Sequence, residues 1–434
     1  MSFETLGLDA QLLRNIAQQG YTVTTPIQKQ AIPAILAGRD VIGLAQTGTG
    51  KTAAFVLPVL QRLLVGPRRQ LRVLIVGPTR ELAEQTKAVL VQLGHKTGLR
   101  HVTIYGGVGA GPQVKGVHQG AEIAIACPGR LLDLLSQGKF NLNQVECLVL
   151  DEADRMFDMG FLPDIRKILK RLPPRRQILL FSATMPDEIR ALANDILRDP
   201  VTMQMAHSMP AETVDHALYP VEQNQKTALL LALLKTLGDG SVLVFTRTKH
   251  RAKRLATQIA ASGYRATSLQ GNLSQRARQA ALDGFKSGLH QILVATDLAA
   301  RGIDVANITH VINFDMPTTV DDYTHRIGRT GRAAKTGDAY TFTTSEDGGL
   351  IRGIERVLKF QIERRRLDGF TYEAVAETAG ARPPARASGQ GRPSRRPRVK
   401  PAAKPTGGKS AKAPASGGGR RSFGAPKASR RFAR

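Results

Sequence analysis

The segment with the most specific chemistry is Ala45-Gln46-Thr47-Gly48-Thr49-Gly50-Lys51-Thr52. It follows an apolar run and opens a stretch of helical periodicity. Gly48 and Gly50 permit a tight turn whose N–H groups can face phosphate oxygens. The N-terminus of the following helix adds a favourable dipole. Lys51 can reach β- and γ-phosphates, and the Thr52 hydroxyl can ligate Mg²⁺. The general P-loop pattern has Gly where this chain has Ala45, and the plainer alternative is a ligand-free Gly-rich turn between strand and helix. A second candidate is Val149-Leu150-Asp151-Glu152-Ala153-Asp154, an apolar run ending in acids. Asp151 suits the holding of an ion, and Glu152 suits polarising an attacking water. The alternative is an acid-decorated helix N-terminus, a reading nearly as good for Asp154. The third is His325-Arg326-Ile327-Gly328-Arg329-Thr330-Gly331-Arg332, with three arginines. Such a cluster can be a solvated helix end or a nucleic-acid patch. Brought from a second domain, its arginines can instead neutralise charge on a transferring phosphoryl group, which makes hydrolysis depend on domain closure.

These segments need a scaffold, and the hydrophobic pattern supplies one. Apolar or β-branched runs recur at Val41–Ala45, Leu71–Val76, His101–Tyr105, Glu122–Ala126, Val145–Leu150, Gln177–Phe181 and Val201–Met205. Helical stretches lie between them, such as Thr52–Leu64, Arg80–Leu93 and Asp187–Leu197. Continuous apolar strands alternating with helices predict a parallel sheet covered on both faces. A second series follows at Val242–Phe245, Arg265–Leu269, Gln291–Ala295, Thr309–Asn313 and Ala339–Thr343. Its helices include Thr227–Leu237, Lys249–Ala261, Gln275–Phe285 and Val320–Ile327. Ala206–Val214 is polar and aperiodic, and is expected to be a hinge. The reading is two tandem α/β domains, with ligands beyond the carboxyl ends of the strands.

Composition narrows the partner. The 434 residues carry 62 Lys or Arg against 35 Asp or Glu, a formal net charge of +27. A polyanion is the leading partner class, ahead of an acidic membrane surface. Between Thr378 and Arg434 lie 16 Lys or Arg, 8 Pro, 9 Gly and no acid. That segment cannot bury enough apolar surface to offset the entropy of folding, so a disordered basic tail is expected. Cys127 and Cys147 sit in apolar runs without zinc-ligand spacing, and are expected to be reduced and buried. No uncharged apolar run is long enough to span a bilayer, and no secretory leader is visible, so the expected location is the cytoplasm.

Further motifs complete a pattern: Thr25-Pro26-Ile27-Gln28 with Phe3 and Tyr21 upstream, Pro78-Thr79-Arg80-Glu81-Leu82, Gly106-Gly107, Ser182-Ala183-Thr184, Val244-Phe245-Thr246-Arg247-Thr248, Gln270-Gly271-Asn272, and Ala295-Thr296-Asp297 running to Arg301-Gly302-Ile303-Asp304. In this order, over about residues 3–360, the chain resembles the DEAD-box RNA helicases of helicase superfamily 2. Phe245-Thr246-Arg247-Thr248-Lys249-His250, with the basic tail, is similar to the bacterial RhlE-type subgroup.

The resemblance implies two tandem RecA-like parallel-sheet domains: residues 1–205 with the Q motif, a linker at 206–216, residues 217–368, and a disordered tail over 369–434. It implies ATP and Mg²⁺ as cofactors. Gln28 would read the adenine edge, Tyr21 would stack on the ring, and Phe3 would belong to the same site. Gln46, Thr47, Gly48, Thr49, Gly50, Lys51 and Thr52 would hold the phosphates, and Asp304 the ribose hydroxyls. Thr52 and Asp151 would hold the metal, Glu152 would act on water, and Arg329 and Arg332 would reach the γ-phosphate. Ser182, Thr184 and His325 would couple the nucleotide site to the inter-domain contacts. Arg80, Gly107, Arg130, Arg247, Gly271 and Thr296 would line the RNA path. Half of these are short or present their backbone and the others are arginines, which fits reading of phosphate and 2′-OH, not base edges. One departure stands out: the family's usual Thr-Pro-Gly-Arg is here Cys127-Pro128-Gly129-Arg130, and a thiol is a weak donor. The expected activity is RNA-stimulated ATP hydrolysis that separates short duplexes by domain closure. Two other functions compete: a DNA helicase of the same superfamily, and a non-enzymatic RNA chaperone driven by the tail.

Overall fold

The computed structural model describes residues 2–45, 48–205, 214–300, 308–331 and 336–372. Four expected site residues, Gln46, Thr47, Asp304 and Arg332, lie outside the described residues, as do 206–213 of the expected hinge and 373–434 of the expected tail.

Among the described residues, seven strands form the first sheet: β1 (Val41–Leu44), β2 (Val73–Val76), β3 (His101–Ile104), β4 (Ile123–Ala126), β5 (Cys147–Leu150), β6 (Gln177–Ser182) and β7 (Val201–Gln204). Seven more form the second: β8 (Val214–Pro220), β9 (Ser241–Phe245), β10 (Ala266–Leu269), β11 (Ile292–Ala295), β12 (Ile308–Asn313), β13 (Gly337–Thr343) and β14 (Glu363–Arg364). Every pairing in both sheets is parallel. The orders are β3-β4-β2-β5-β6-β1-β7 and β10-β11-β9-β12-β13-β8-β14. Shifting each number by seven turns one order into the other, so the chain repeats one RecA-like topology twice.

The strands are apolar on both sides because helices cover both sides. Val73, Ile75, Cys147 and Val149 pack into one core cluster, while Leu74, Val76, Leu148 and Leu150 pack into another. That is the period of two expected for successive side chains of a strand. Several helices begin where a hydroxyl satisfies a free N–H. Thr79 Oγ1 accepts from Leu82 N at 3.2 Å to start the helix Arg80–Leu93. Thr248 caps Lys249–Ala261, and Ser274 caps Gln275–Lys286, in the same manner.

Two boundaries differ from the sequence reading. Val214–His216, taken as the end of the linker, are the first residues of β8, which pairs with β13. Their partners lie more than a hundred residues away, so no local pattern marks them. At the other end, Phe370 and Tyr372 pack on the second domain's core, with ring centroids 4.9 Å apart. The folded part therefore passes the expected limit at residue 368.

Candidate active site

The expected phosphate loop leaves β1 and enters the helix Lys51–Leu63. Gly48 and Gly50 have φ of 86° and 89°, a left-handed backbone that only glycine adopts without penalty. At Gly50 a second constraint applies: a Cβ there would lie 2.5 Å from Gln28 Nε2. Gln28 is buried, and its Nε2 donates to Gly50 O at 3.2 Å while its Oε1 accepts from Thr25 N at 3.0 Å. The Gln28 side chain thus ties the helix Pro26–Leu36 to the loop. Lys51 is buried and donates from Nζ to Ala45 O at 2.7 Å.

Beyond the loop opens a cavity of about 320 Å³, whose lining includes Tyr21, Gln28, Lys51, Thr52, Asp151, Glu152 and Arg329. Tyr21 is exposed at its rim. Phe3 is not among the lining residues; it is buried in the core and meets Tyr21 edge-on, with centroids 6.3 Å apart. Seven residues that the sequence scatters over about 300 positions thereby face one volume.

Asp151 and Glu152 follow the end of β5. The Asp151 carboxyl is buried, and burial pushes it up to about 7; Lys51 pulls it back less, and Glu152 pushes it further. A nearby cation offsets that penalty. With the Thr52 hydroxyl the donor set is all oxygen, which suits Mg²⁺. Among the described residues no group of three or more His, Cys, Asp or Glu can hold a metal alone, so phosphate and water oxygens would have to complete the shell. Glu152 is in the left-handed region, with φ 54° and ψ 53°, and its Oε2 accepts from Arg155 Nη1 at 2.7 Å.

Asp154 does more than decorate a helix start. Its Oδ2 accepts from Ala183 N at 3.0 Å, Thr184 N at 2.8 Å and Thr184 Oγ1 at 3.2 Å. Its own N–H donates to Ser182 Oγ at 3.1 Å. Burial raises its carboxyl, but Lys51, the Thr184 N–H, Arg155 and His325 outweigh burial and hold it below the usual range. Ser182 and Thr184 are therefore fastened to the acidic segment, and His325 from the second domain is near enough to act on it electrostatically.

The second domain contributes from the segments that follow β11 and β12. Arg329 is buried and donates from Nε to His325 O at 3.3 Å. Arg326, part of the same cluster, takes another task. Its guanidinium grips Asp297 at 2.6 and 2.7 Å, and donates to Asn313 Oδ1 at 3.1 Å and Asp315 O at 2.8 Å. It also lies 5.0 Å over the Phe245 ring. An arginine held by these four hydrogen bonds fixes the cluster in place.

A second cavity, about 340 Å³, is lined from both domains by Arg80, Cys127, Arg130, Gly271 and Arg278, among others. Gly107 has φ 80°, a left-handed backbone that favours glycine, and a Cβ there would displace the tip of the Arg80 side chain. Arg130 is held by Tyr105 O, Val108 O and Asp133. Thr296 is half-buried at the end of β11, and its carbonyl accepts from Ala299 N and Ala300 N. Arg247 is exposed at the end of β9, with its N–H on Asp315 Oδ2. Cys127 is buried, and its thiol is pushed up to about 12, chiefly by burial. It faces this cavity as a neutral thiol.

Four contacts escaped sequence reading. Arg278 Nε meets Glu81 Oε1 at 2.7 Å, and Arg80 Nη1 meets Gln275 Oε1 at 3.3 Å, both across the two domains. Gln275 and Arg278 are three apart at a helix start, a signal of one face but not of its partner. The Arg326–Asp297 grip and the Arg155–Glu152 pair were likewise invisible, although both arginines stand in or beside segments already singled out.

Comparisons with known proteins agree with this geometry. Residues 25–192 match the family model DEAD/DEAH box helicase, and residues 225–334 match the helicase conserved C-terminal domain. CshA of Geobacillus kaustophilus, a DEAD-box ATP-dependent RNA helicase, is 42% identical over 364 residues, covering 84% of this chain and 78% of that protein. RhpA of Helicobacter pylori, also a DEAD-box ATP-dependent RNA helicase, is 41% identical over 378 residues, covering 87% and 76%. The solved structure of S. cerevisiae Dbp5 bound to RNA and ADP BeF3 matches with a TM-score of 0.74 at 29% identity, covering 84% of this chain and 95% of that one.

Proposed function

The chain belongs to the DEAD-box family of ATP-dependent RNA helicases, and from that premise we propose how its residues divide the work. It is an RNA-dependent ATPase that separates short RNA duplexes. The observation that carries the reading is Arg329, which comes from the second domain and lines the same cavity as Lys51, Thr52, Asp151 and Glu152 of the first. Hydrolysis then requires both domains together, and RNA bound across both domains favours that state.

Lys51 and the loop N–H groups hold the β- and γ-phosphates. Gln28 reads the adenine edge and Tyr21 stacks on the ring, with Phe3 bracing Tyr21 from behind. Thr52 and Asp151 would hold Mg²⁺, and the ion would supply neutralisation of phosphate charge. Glu152 accepts a proton from water as its oxygen bonds to the γ-phosphorus and the bond to the bridging oxygen breaks, leaving ADP and phosphate. Arg329 offsets charge on the equatorial oxygens, and Arg332 is assigned the same task. Asp304 takes the ribose hydroxyls. Ser182 and Thr184, through Asp154, couple this site to His325.

Arg80, Gly107, Arg130, Arg247, Gly271 and Thr296 carry the RNA backbone. Their chemistry supports contact with phosphate and 2′-OH, without base specificity. The basic segment after Thr378 supplies further sequence-independent attraction. We assign the chain to the RhlE-type subgroup on Phe245–His250 and that segment, and to the cytoplasm. Among the described residues no helix is long and apolar enough to cross a membrane.

The decisive experiment is Glu152→Gln, which keeps shape but cannot take the proton. Turnover should fall at least about 100-fold, while ATP and RNA still bind and RNA is retained in an ATP-dependent manner. Near-normal hydrolysis by this variant removes Glu152 from the role.

A further inference from the structure

Glu152 is one of five non-glycine residues with positive φ among those described. The other four, Arg69, Lys96, Asp199 and Lys359, are exposed, whereas Glu152 is buried. A left-handed backbone held in the interior is strain that the surroundings must maintain. The backbone alone does not aim a glutamate, whose side chain has three further torsions. What aims it is Arg155, whose Nη1 lies 2.7 Å from Glu152 Oε2, with both side chains only 5% exposed.

Arg155 has a second set of neighbours. It lines a small cavity, about 20 Å³, together with Phe245, Asp297, His325, Arg326 and Arg329. Of the described residues lining that space, Arg155 alone comes from the first domain. Arg155 therefore pairs with the carboxylate assigned to the attacking water and also borders a space otherwise lined by residues that arrive with the second domain. A guanidinium is a rigid planar fork, and its position constrains both sides at once.

We propose that Arg155 is a positioning residue that transmits domain closure to Glu152: the seated second domain fixes Arg155, and Arg155 fixes the carboxylate against the water. Arg155 need not touch the nucleotide. The proposal rests on the reading of Glu152 as the group that acts on water.

The test uses the full chain and a two-by-two set: wild type, Arg155→Met, Glu152→Gln and the double variant, with Arg155→Lys as the conservative substitution. Measured are kcat and KM for ATP at saturating RNA, RNA half-saturation, melting temperature, and closure by fluorescent labels on both domains. Arg155→Met should lower kcat by roughly 10- to 100-fold, the scale of a misplaced reacting group. KM, RNA half-saturation and the closed-state distance should hold. Arg155→Lys should restore part of kcat. In the Glu152→Gln background, Arg155→Met should cost less than about threefold more, because the two act as one unit. If Arg155→Met leaves an uncompensated charge and folds poorly, Arg155→Lys and the double variant, which carries neither charge, still decide the matter. Wild-type kcat in folded Arg155→Lys and Arg155→Met overturns the proposal and leaves the role of Glu152 standing. A kcat loss matched by lost closure, or fully additive in the double variant, also overturns it. Normal turnover by Glu152→Gln alone overturns the underlying reading, and this proposal with it.

Discussion

Lys226 stands in the second domain where Lys51 stands in the first. Each is the first residue of the helix after the sheet's first strand, each is buried, and each points its Nζ at a backbone carbonyl: Ala45 O at 2.7 Å for Lys51, Phe342 O at 3.5 Å for Lys226. The loops before them differ. Gly48 and Gly50 precede Lys51, whereas Val221-Glu222-Gln223-Asn224-Gln225 precedes Lys226 with no glycine. A duplicated fold thus keeps its lysine but has a phosphate cradle in one copy only. Lys51→Ala should abolish turnover with folding intact. Lys226→Met should leave turnover at saturating RNA within about threefold and the melting temperature unchanged or raised, since burial already disfavours the Lys226 charge and lowers its pKa. Loss of ATP hydrolysis in folded Lys226→Met would contradict this assignment.

The ion pair between Arg278 and Glu81 joins the domains at the second cavity. Removing one member of a buried pair costs up to about 3–5 kcal/mol because the other charge is left without a partner. That cost falls on the closed arrangement alone. Arg278→Met should therefore raise the RNA concentration for half-maximal ATPase by at least about tenfold, with each domain's own stability unchanged. An unaltered half-saturation would show that the pair adds nothing to closure.

Gln28 has its amide oriented by Thr25 N and Gly50 O. A side-chain amide facing adenine discriminates by about 1–3 kcal/mol. The chain should use ATP well and GTP poorly, and Gln28→Ala should raise KM for ATP and narrow the difference. Equal rates with both nucleotides in the wild type would exclude the adenine contact.

Both thiols, Cys127 and Cys147, are pushed up to about 12, chiefly by burial. The folded state therefore favours the protonated form more than the unfolded state does. Their stability contribution is complete below about pH 8.5, the ordinary thiol value, and is lost as pH rises toward 12. At pH 8 neither should react with iodoacetamide in the native protein, and both should react in denaturant. Mass spectrometry checks this. Cys127→Thr should leave ATPase intact and, by restoring a hydroxyl donor to the cavity, tighten RNA binding; weaker binding would show that the thiol is the better fit here.

The segment from Thr378 to Arg434 carries 16 positive charges. Each neutralised phosphate of a single strand contributes roughly −0.7 to the log–log salt slope. If about half the charges engage, deletion should remove a slope of about −5 to −6. Truncation after Tyr372 should thus weaken RNA affinity most at low salt, while ATPase at saturating RNA persists. A salt slope unchanged by truncation would refute the contribution of this segment to RNA binding.

Much of this protein is legible in its amino-acid sequence. Ala45–Thr52, Asp151–Asp154 and His325–Arg332 name their chemistry because a phosphate cradle, a paired acid and an arginine cluster each depend on neighbours a few residues apart. All seven strands of the first sheet and five of the second, all but β8 and β14, were legible for a similar reason: a buried parallel strand is a short apolar run whatever surrounds it. Val214–His216 show the limit, since a strand recognised only by its distant partner β13 has no local signature. Tertiary structure alone decided which charges meet. Glu81 and Arg278, Asp297 and Arg326, and Arg329 and the Lys51 loop are brought together by sheet order and domain docking. Contact across such separations is a property of the folded chain as a whole, because it is the packing of apolar faces that sets where the polar tips arrive.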